Sequence, residues 1–272
     1  MVESASPDAR QDDARHYDAL LPHLLETLRT APDLALVRRS VEPRHARREA
    51  RGIVLEASRY DLLSGAEPVL DLRVVRIAGP AVDVLNVMGF PADPSSTPIF
   101  AAELLGFGGV ARIAFVDLQD GGLTPAARAS AAAASGRALE AAAAALGDAH
   151  ATEPRSGETR EAPDWAMASS CGQAFFLRGD GARCHGAIHR EIFRQYLAAW
   201  LEVRAEVGGQ PGARSNDATT GLDNASRKGG HEERILQQYK RHHLANTPGS
   251  RFLSGLYSET WTSGFLSGFL YR

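Results

Sequence analysis

DVLNVMGFPADPSSTPIFAAELLGFGGVARIAFVD, from Asp83 to Asp117, reads as three strands joined by two tight connections. DVLNVM is the first strand, and FPADPSSTP is a turn region rich in Pro, Ser and Asp. PIFAAELL is the second strand, GFGG a glycine turn, and VARIAFVDL the third strand. Short apolar runs bounded by Gly and Pro carry this reading. Side chains alternate across a strand, so Ile99, Ala101, Glu103 and Leu105 share one face, and Asn86 shares its face with Val84 and Met88. Glu103 is thereby a carboxyl on an otherwise apolar face. If that face is buried, desolvation raises its pKa, and the group can hold a proton near neutral pH and release it as a general acid. If the face is a solvated sheet edge, Glu103 is an ordinary surface carboxylate. The pattern alone permits both.

Working outward, RGIVLEASRYDLL and PVLDLRVVRI precede AVDVLNVM as further strands, which makes five successive antiparallel neighbours. Asp71 shares a face with Val69, Arg73 and Val75, and an ion pair with Arg73 or Arg76 is its simplest reading. Leu20, Leu21, Leu24, Leu25 and Leu28 have helical spacing. Residues 1–15 are charged and poor in large apolar groups, which predicts a disordered N-terminus before a single domain of residues 16–272. Downstream, GGLTPAARASAAAASGRALEAAAAALGDAH predicts an alanine-rich helix or helix pair. Thr124 is its N-cap, Pro125 its first residue, and Ser135-Gly136 a candidate break. SSCGQAFFLRG predicts a strand. HREIFRQYLAAWLEVRAEV predicts a helix with Ile192, Phe193, Tyr196, Leu197 and Trp200 on one stripe. Residues 208–233 read as a long loop, followed by two or three C-terminal helices. Strands followed by helices predict a three-layer α/β/α sandwich, a central antiparallel sheet flanked by helices.

Composition narrows the function. A net charge of −3 gives no global basic field for nucleic acid. No apolar run reaches the roughly 18 residues of a membrane span. The polar, acidic start is unlike a signal peptide, and two cysteines make no disulfide framework, which points to the cytoplasm. Arg38, Arg39, Arg44, Arg47, Arg48 and Arg51 form a basic stretch. It is either a solvated face or a docking surface for an acidic electron carrier. GFGGV lacks the full dinucleotide-binding pattern and precedes a strand, not a helix. Cys171 and Cys184 are too far apart for a zinc finger, although His185 and His189 have helical spacing beside Cys184. No phosphate-binding loop, nucleophile elbow, haem or iron–sulfur spacing is visible.

NVMGFPADPSSTPIFAAELLGFGGVARIAFVDL resembles the ferredoxin-dependent bilin reductases, which reduce biliverdin to phytobilins. The resemblance lies in a strand, FP, a short turn, P-[IL]-F with an acid three residues on, a glycine turn, and a strand ending near Asp-Leu. It implies that the family's catalytic Asp falls on Glu103. The catalytic His of the phycocyanobilin-forming branch falls on Asn86, where other branches carry Asn, and its catalytic Glu falls on Asp71. Met88, on the face of Asn86, joins the substrate contacts. In REAPDW, Arg160 stands where the family has an Arg that holds a substrate propionate. Near the C-terminus, Asn246, Leu253, Glu259 and Trp261 fit the family spacing. Thr247 and Pro248 replace its Asp-Lys, leaving Arg251 as the substitute cation.

The resemblance implies no bound cofactor or metal, reduced ferredoxin as external electron donor, and a monomer. Its substrate would be biliverdin IXα, and its product phycoerythrobilin or a two-electron product. The alternatives are reduction of another linear tetrapyrrole, such as red chlorophyll catabolite, and a bilin carrier without turnover.

Overall fold

The computed structural model describes residues 17–146, 162–179, 185–208, 222–247 and 249–272. The expectations for residues 1–15, Arg160, Cys184 and Pro248 lie outside these, as do residues 209–221 of the expected loop. Helix α1 (Leu20–Thr30) buries Leu20, Leu24 and Leu28, four residues apart on one face. The arginine-rich stretch after it holds two strands that the sequence did not reveal. These are β1 (Ala35–Arg39) and β2 (Arg47–Ala50), separated by the single turn α2 (Pro43–Ala46). Both pair antiparallel with the edge of β3 (Ile53–Ser64).

β4 (Glu67–Gly79), β5 (Val82–Pro91), β6 (Ile99–Phe107) and β7 (Val110–Gln119) follow as antiparallel neighbours, as the sequence predicts. Gly108 and Gly109, at φ 63° and 74°, form the two-residue turn between β6 and β7. A turn of that hand follows the twist of the strands it joins. Helix α3 (Pro125–Leu146) is continuous, so Ser135-Gly136 does not break it. Ser135 instead donates its hydroxyl to the Ala132 carbonyl, 3.0 Å away, and stays within the helix. Then come α4 (Asp164–Met167), the last strand β8 (Phe175–Arg178) against β7, and α5 (His185–Gly208). Helix α6 (Leu222–Asn246) begins inside the stretch that reads as loop. Helices α7 (Gly249–Leu256) and α8 (Glu259–Phe265) and a π turn (Leu266–Leu270) close the chain.

Among the described residues the sheet has eight strands and a buried core on each face. Leu85, Val87, Phe100, Ala102, Ala114 and Val116 face α1, α3 and α5. Ala134, Ala138 and Ala142 recur every fourth residue on α3 and let it lie close to this core. Trp200 of α5 is fully buried, and its indole N–H donates to the Pro98 carbonyl at 2.8 Å. The predicted stripe of Ile192, Phe193, Tyr196, Leu197 and Trp200 belongs to this core, so those rings are packing and not a cofactor site. Alternate strand residues, Val84, Met88, Ala101 and Phe115, face the C-terminal layer with Leu253, Phe265 and Phe269. This is the expected three-layer α/β/α sandwich. Among the described residues, no helix is long and apolar enough to cross a membrane.

The predicted cap is in place: the Thr124 hydroxyl accepts from the Ala127 amide at 3.3 Å. Replacing Thr124 with Ala leaves that amide unpaired, at an expected cost of about 1 kcal/mol in urea-induced unfolding.

Candidate active site

Strand register sets the site. Asn86 of β5 pairs with Glu103 of β6, Val75 of β4 lies beyond Asn86, and Phe115 of β7 lies beyond Glu103. These four side chains form a row across the second face and line a cavity of about 340 Å³. That size lies at the lower end of small-molecule pockets. Leu253, Phe265 and Leu266 form its helical wall. Its polar lining among the described residues is Asn86, Glu103, Arg178 and Thr247. An apolar cleft with a few convergent polar groups is the usual form of a ligand site.

Glu103 is partly exposed and fronts the cavity, but apolar groups surround its carboxyl. Burial pushes it from its ordinary 4.5 up to about 7. The first residue of α7 opposes this, because a Cβ built on Gly249 would lie 3.8 Å from the Glu103 Oε1. A helix N-terminus favours the ionised form by only about 0.3–1 kcal/mol. The rise to about 7 corresponds to roughly 3 kcal/mol, so burial wins. Near neutral pH Glu103 can therefore both hold a proton and release it, the condition for a general acid or base.

Beside it, the Asn86 Oδ1 is buried without a hydrogen-bond partner among the described residues. An open buried acceptor costs about 1–3 kcal/mol, which a ligand N–H in the cavity would recover. On the helical side Thr247, just past the end of α6, hydrogen-bonds the Tyr271 hydroxyl. Burial and then the Glu103 charge hold that phenol above its ordinary value, so Tyr271 stays neutral. His243, with its ring tilted against those of Tyr239 and Tyr271, is pushed down to about 4 by burial and then by His242, and it too stays neutral.

Asp117 lies on the same sheet face, one residue pair along from Glu103, opposite Ala101. It is fully buried, with Ser170 Oγ donating to its Oδ1 at 3.0 Å. Burial pushes it up to about 7, and the Ser170 bond offsets part of the rise. A folded pKa above the unfolded one means stability is complete below the unfolded value and falls as pH rises through about 7. Asp117→Asn cannot ionise, so its melting temperature is expected to fall less than that of the wild type between pH 5 and pH 8. Equal pH dependence of the two melting curves would show that Asp117 is ionised in the fold.

The other sequence-derived candidates among the described residues do not line the cavity. Asp71 lies on the same sheet face but two residue pairs from Asn86, opposite Phe90. It is held by Arg59 (2.7 Å) and by Arg73. Burial alone would raise its carboxyl, but those two guanidiniums outweigh burial and hold it below its ordinary value. A carboxylate tied in this way is a poor proton donor, and Val75 occupies the position facing Asn86. Met88 is buried one pair further along β5, in the core and not in the cavity wall. Asn246 is exposed and donates to the His242 carbonyl at 2.8 Å, closing α6. Arg251 is exposed on α7 and does not line the cavity. Arg160 lies outside the described residues. Sequence reading missed Tyr271, Arg178 and Asp117, and met Thr247 only as a departure from the family's Asp. Strand alternation alone places Asp117 on the face of Phe115, and Arg178 on that of Phe176. The family spacing marks the position of Thr247, and nothing local marks Tyr271.

Comparison with known proteins adds a family and a fold. The family model described as ferredoxin-dependent bilin reductase matches residues 62–272. Among solved structures the chain is similar to phytochromobilin synthase from tomato, crystallised in complex with biliverdin. The TM-score is 0.67 at 16% identity, covering 94% of this chain and 82% of that one. No curated protein sequence matches.

Proposed function

This chain belongs to the ferredoxin-dependent bilin reductases, and on that premise we propose that it reduces biliverdin IXα to a phytobilin, either phycoerythrobilin or a two-electron product. Each round takes one electron from reduced ferredoxin and one proton from the protein. Two rounds add two electrons and two protons across one double bond of the bilin, through a bilin radical after the first electron, and give the two-electron product; phycoerythrobilin takes two further rounds, four electrons and four protons in all.

The observation that carries the reading is Glu103, a carboxyl held near pKa 7 by burial, in register with Asn86 inside an apolar cavity. Protonated Glu103 donates to the bilin. Asn86 accepts a pyrrole or lactam N–H through its open Oδ1, but it cannot shuttle a proton at neutral pH. Once Glu103 has given its proton, the apolar surroundings favour its reprotonation. Arg178 at the cavity supplies a planar donor fork for a propionate, a role the family resemblance gives to Arg160.

The test is an anaerobic assay with biliverdin, ferredoxin, its reductase and NADPH, followed by absorbance and product chromatography. A new bilin reached through transient radical bands supports the reading, and its identity settles the product. Thr247, a neutral residue in the lining, favours a second reading as a bilin carrier. In that case biliverdin binds and its spectrum never changes.

A further inference from the structure

The geometry points to the β1–β2 margin of the sheet as the docking surface for an acidic one-electron donor, entering beside Arg48, Tyr257 and Trp261. This rests on the bilin reductase reading for what the donor is for, but its surface argument is independent.

From Arg38 to Arg51 there are six arginines against two glutamates, a net +4 in a chain whose total is −3. The structure spreads these residues along one exposed edge. Arg39, Arg44 and Arg47 are neutralised in part by Asp61, Glu42 and Glu56. Arg38, Arg48 and Arg51 make no ion pair among the described residues. Arg48 pairs across the strands with Leu55, which faces the C-terminal layer. Its guanidinium lies over Trp261, 5.2 Å from the ring centroid, and over Tyr257 at 5.8 Å.

What lies beneath Arg48 distinguishes this margin from an ordinary charged face. Trp261 stacks on Phe265 with centroids 4.9 Å apart and planes 11° from parallel. Phe265 lines the cavity. Two ring contacts therefore connect the arginine margin to the ligand space. The Trp261 indole N–H is held by the Arg44 carbonyl at 3.0 Å, which fixes the stack to the basic segment itself. Val37, 37% exposed on β1, lies on the same side of the sheet, since it pairs with Asp61 and Asp61 with Asp71. An aromatic stack capped by Arg48, which makes no ion pair among the described residues, on an arginine-rich margin fits an acidic protein surface and steers it by long-range attraction. The donor is oxidised by one electron and the bilin is reduced by one. No residue of the stack changes oxidation state.

The test titrates a plant-type [2Fe–2S] ferredoxin into the full chain by calorimetry, and titrates biliverdin separately by absorbance. Arg48→Glu is expected to weaken ferredoxin roughly five- to tenfold at low salt, less at high salt. Arg48→Lys keeps the charge and stays near wild type. Arg137→Glu, on α3 across the sheet, serves as the control for charge alone and leaves ferredoxin affinity unchanged. Melting temperature and biliverdin titration are expected to be the same in all four proteins. Equal ferredoxin affinity for wild type and Arg48→Glu, or an equal loss in Arg137→Glu, overturns the docking surface. So does a wild type that does not bind ferredoxin. If ferredoxin binding depends on Arg48 while biliverdin does not bind, the docking surface stands and the reading of the cavity falls.

Discussion

Replacing Glu103 with Gln is expected to lower kcat/KM for ferredoxin-driven bilin reduction by about two to three orders of magnitude, the usual contribution of a positioned proton donor. Gln keeps the size of Glu and can still donate a hydrogen bond, so biliverdin affinity is expected to change little. What is lost is the transferable proton. The pH dependence separates this from a packing effect. The acid works protonated, and burial pushes Glu103 up to about 7. Wild-type kcat/KM is therefore expected to hold below that value and to fall about tenfold per pH unit above it. The residual rate of Glu103→Gln is expected to lack that step. A variant that turns over at the wild-type rate, with the same alkaline fall, would remove Glu103 from the chemistry.

Asp71→Ala is expected to cost about 3–5 kcal/mol of stability, because it strands the buried Arg73 charge. Arg73 is only 4% exposed. Besides Asp71 it donates to the Phe269 carbonyl at 2.5 Å and to the Arg272 carbonyl at 3.2 Å. Lys240 donates to the same Arg272 carbonyl at 2.5 Å. Asp71 thus neutralises the cation that holds the last residues over the sheet. The sign of its pH effect is opposite to that of Asp117. A depressed folded pKa gives stability that is present above the ordinary value of 3.8 and lost as pH falls through the lower, folded value. Denaturation curves of the variant should lie well below wild type at pH 7 and approach it in acid. The alkaline fall in kcat/KM should keep its midpoint, since the Asp71 carboxylate is tied to two arginines and does not line the cavity. A shifted midpoint would return Asp71 to the site.

The middle of the fold was legible because each strand from Ile53 to Gln119 alternates or runs apolar between Gly and Pro turns. The same alternation put Glu103 on a named face, and only the depth of that face required structure. β1 and β2 were hidden because all residues of β1 but Leu36 are exposed, and β2 is similarly bare, so neither shows a period. A strand exposed on both faces looks like a solvated run. The ion pair of Asp71 with Arg73 was legible, but its second partner, Arg59, comes from the neighbouring strand, across a register that the sequence does not print. Tyr271 reaches Thr247, at the cavity, from the far end of the chain, through helix packing that no local pattern encodes.

The margins of the sheet also bear on what the protein does at high concentration. A strand edge is a template on which another chain can grow. Here one margin is broken into five- and four-residue pieces by α2, and the other is the four-residue β8. Among the described residues neither presents a long, continuous ladder of open amides and carbonyls, and the first is studded with arginines. The segment that receives a partner through its side chains therefore also discourages strand-on-strand growth of the sheet. It is a surface open to transient contact and closed to fibrous assembly.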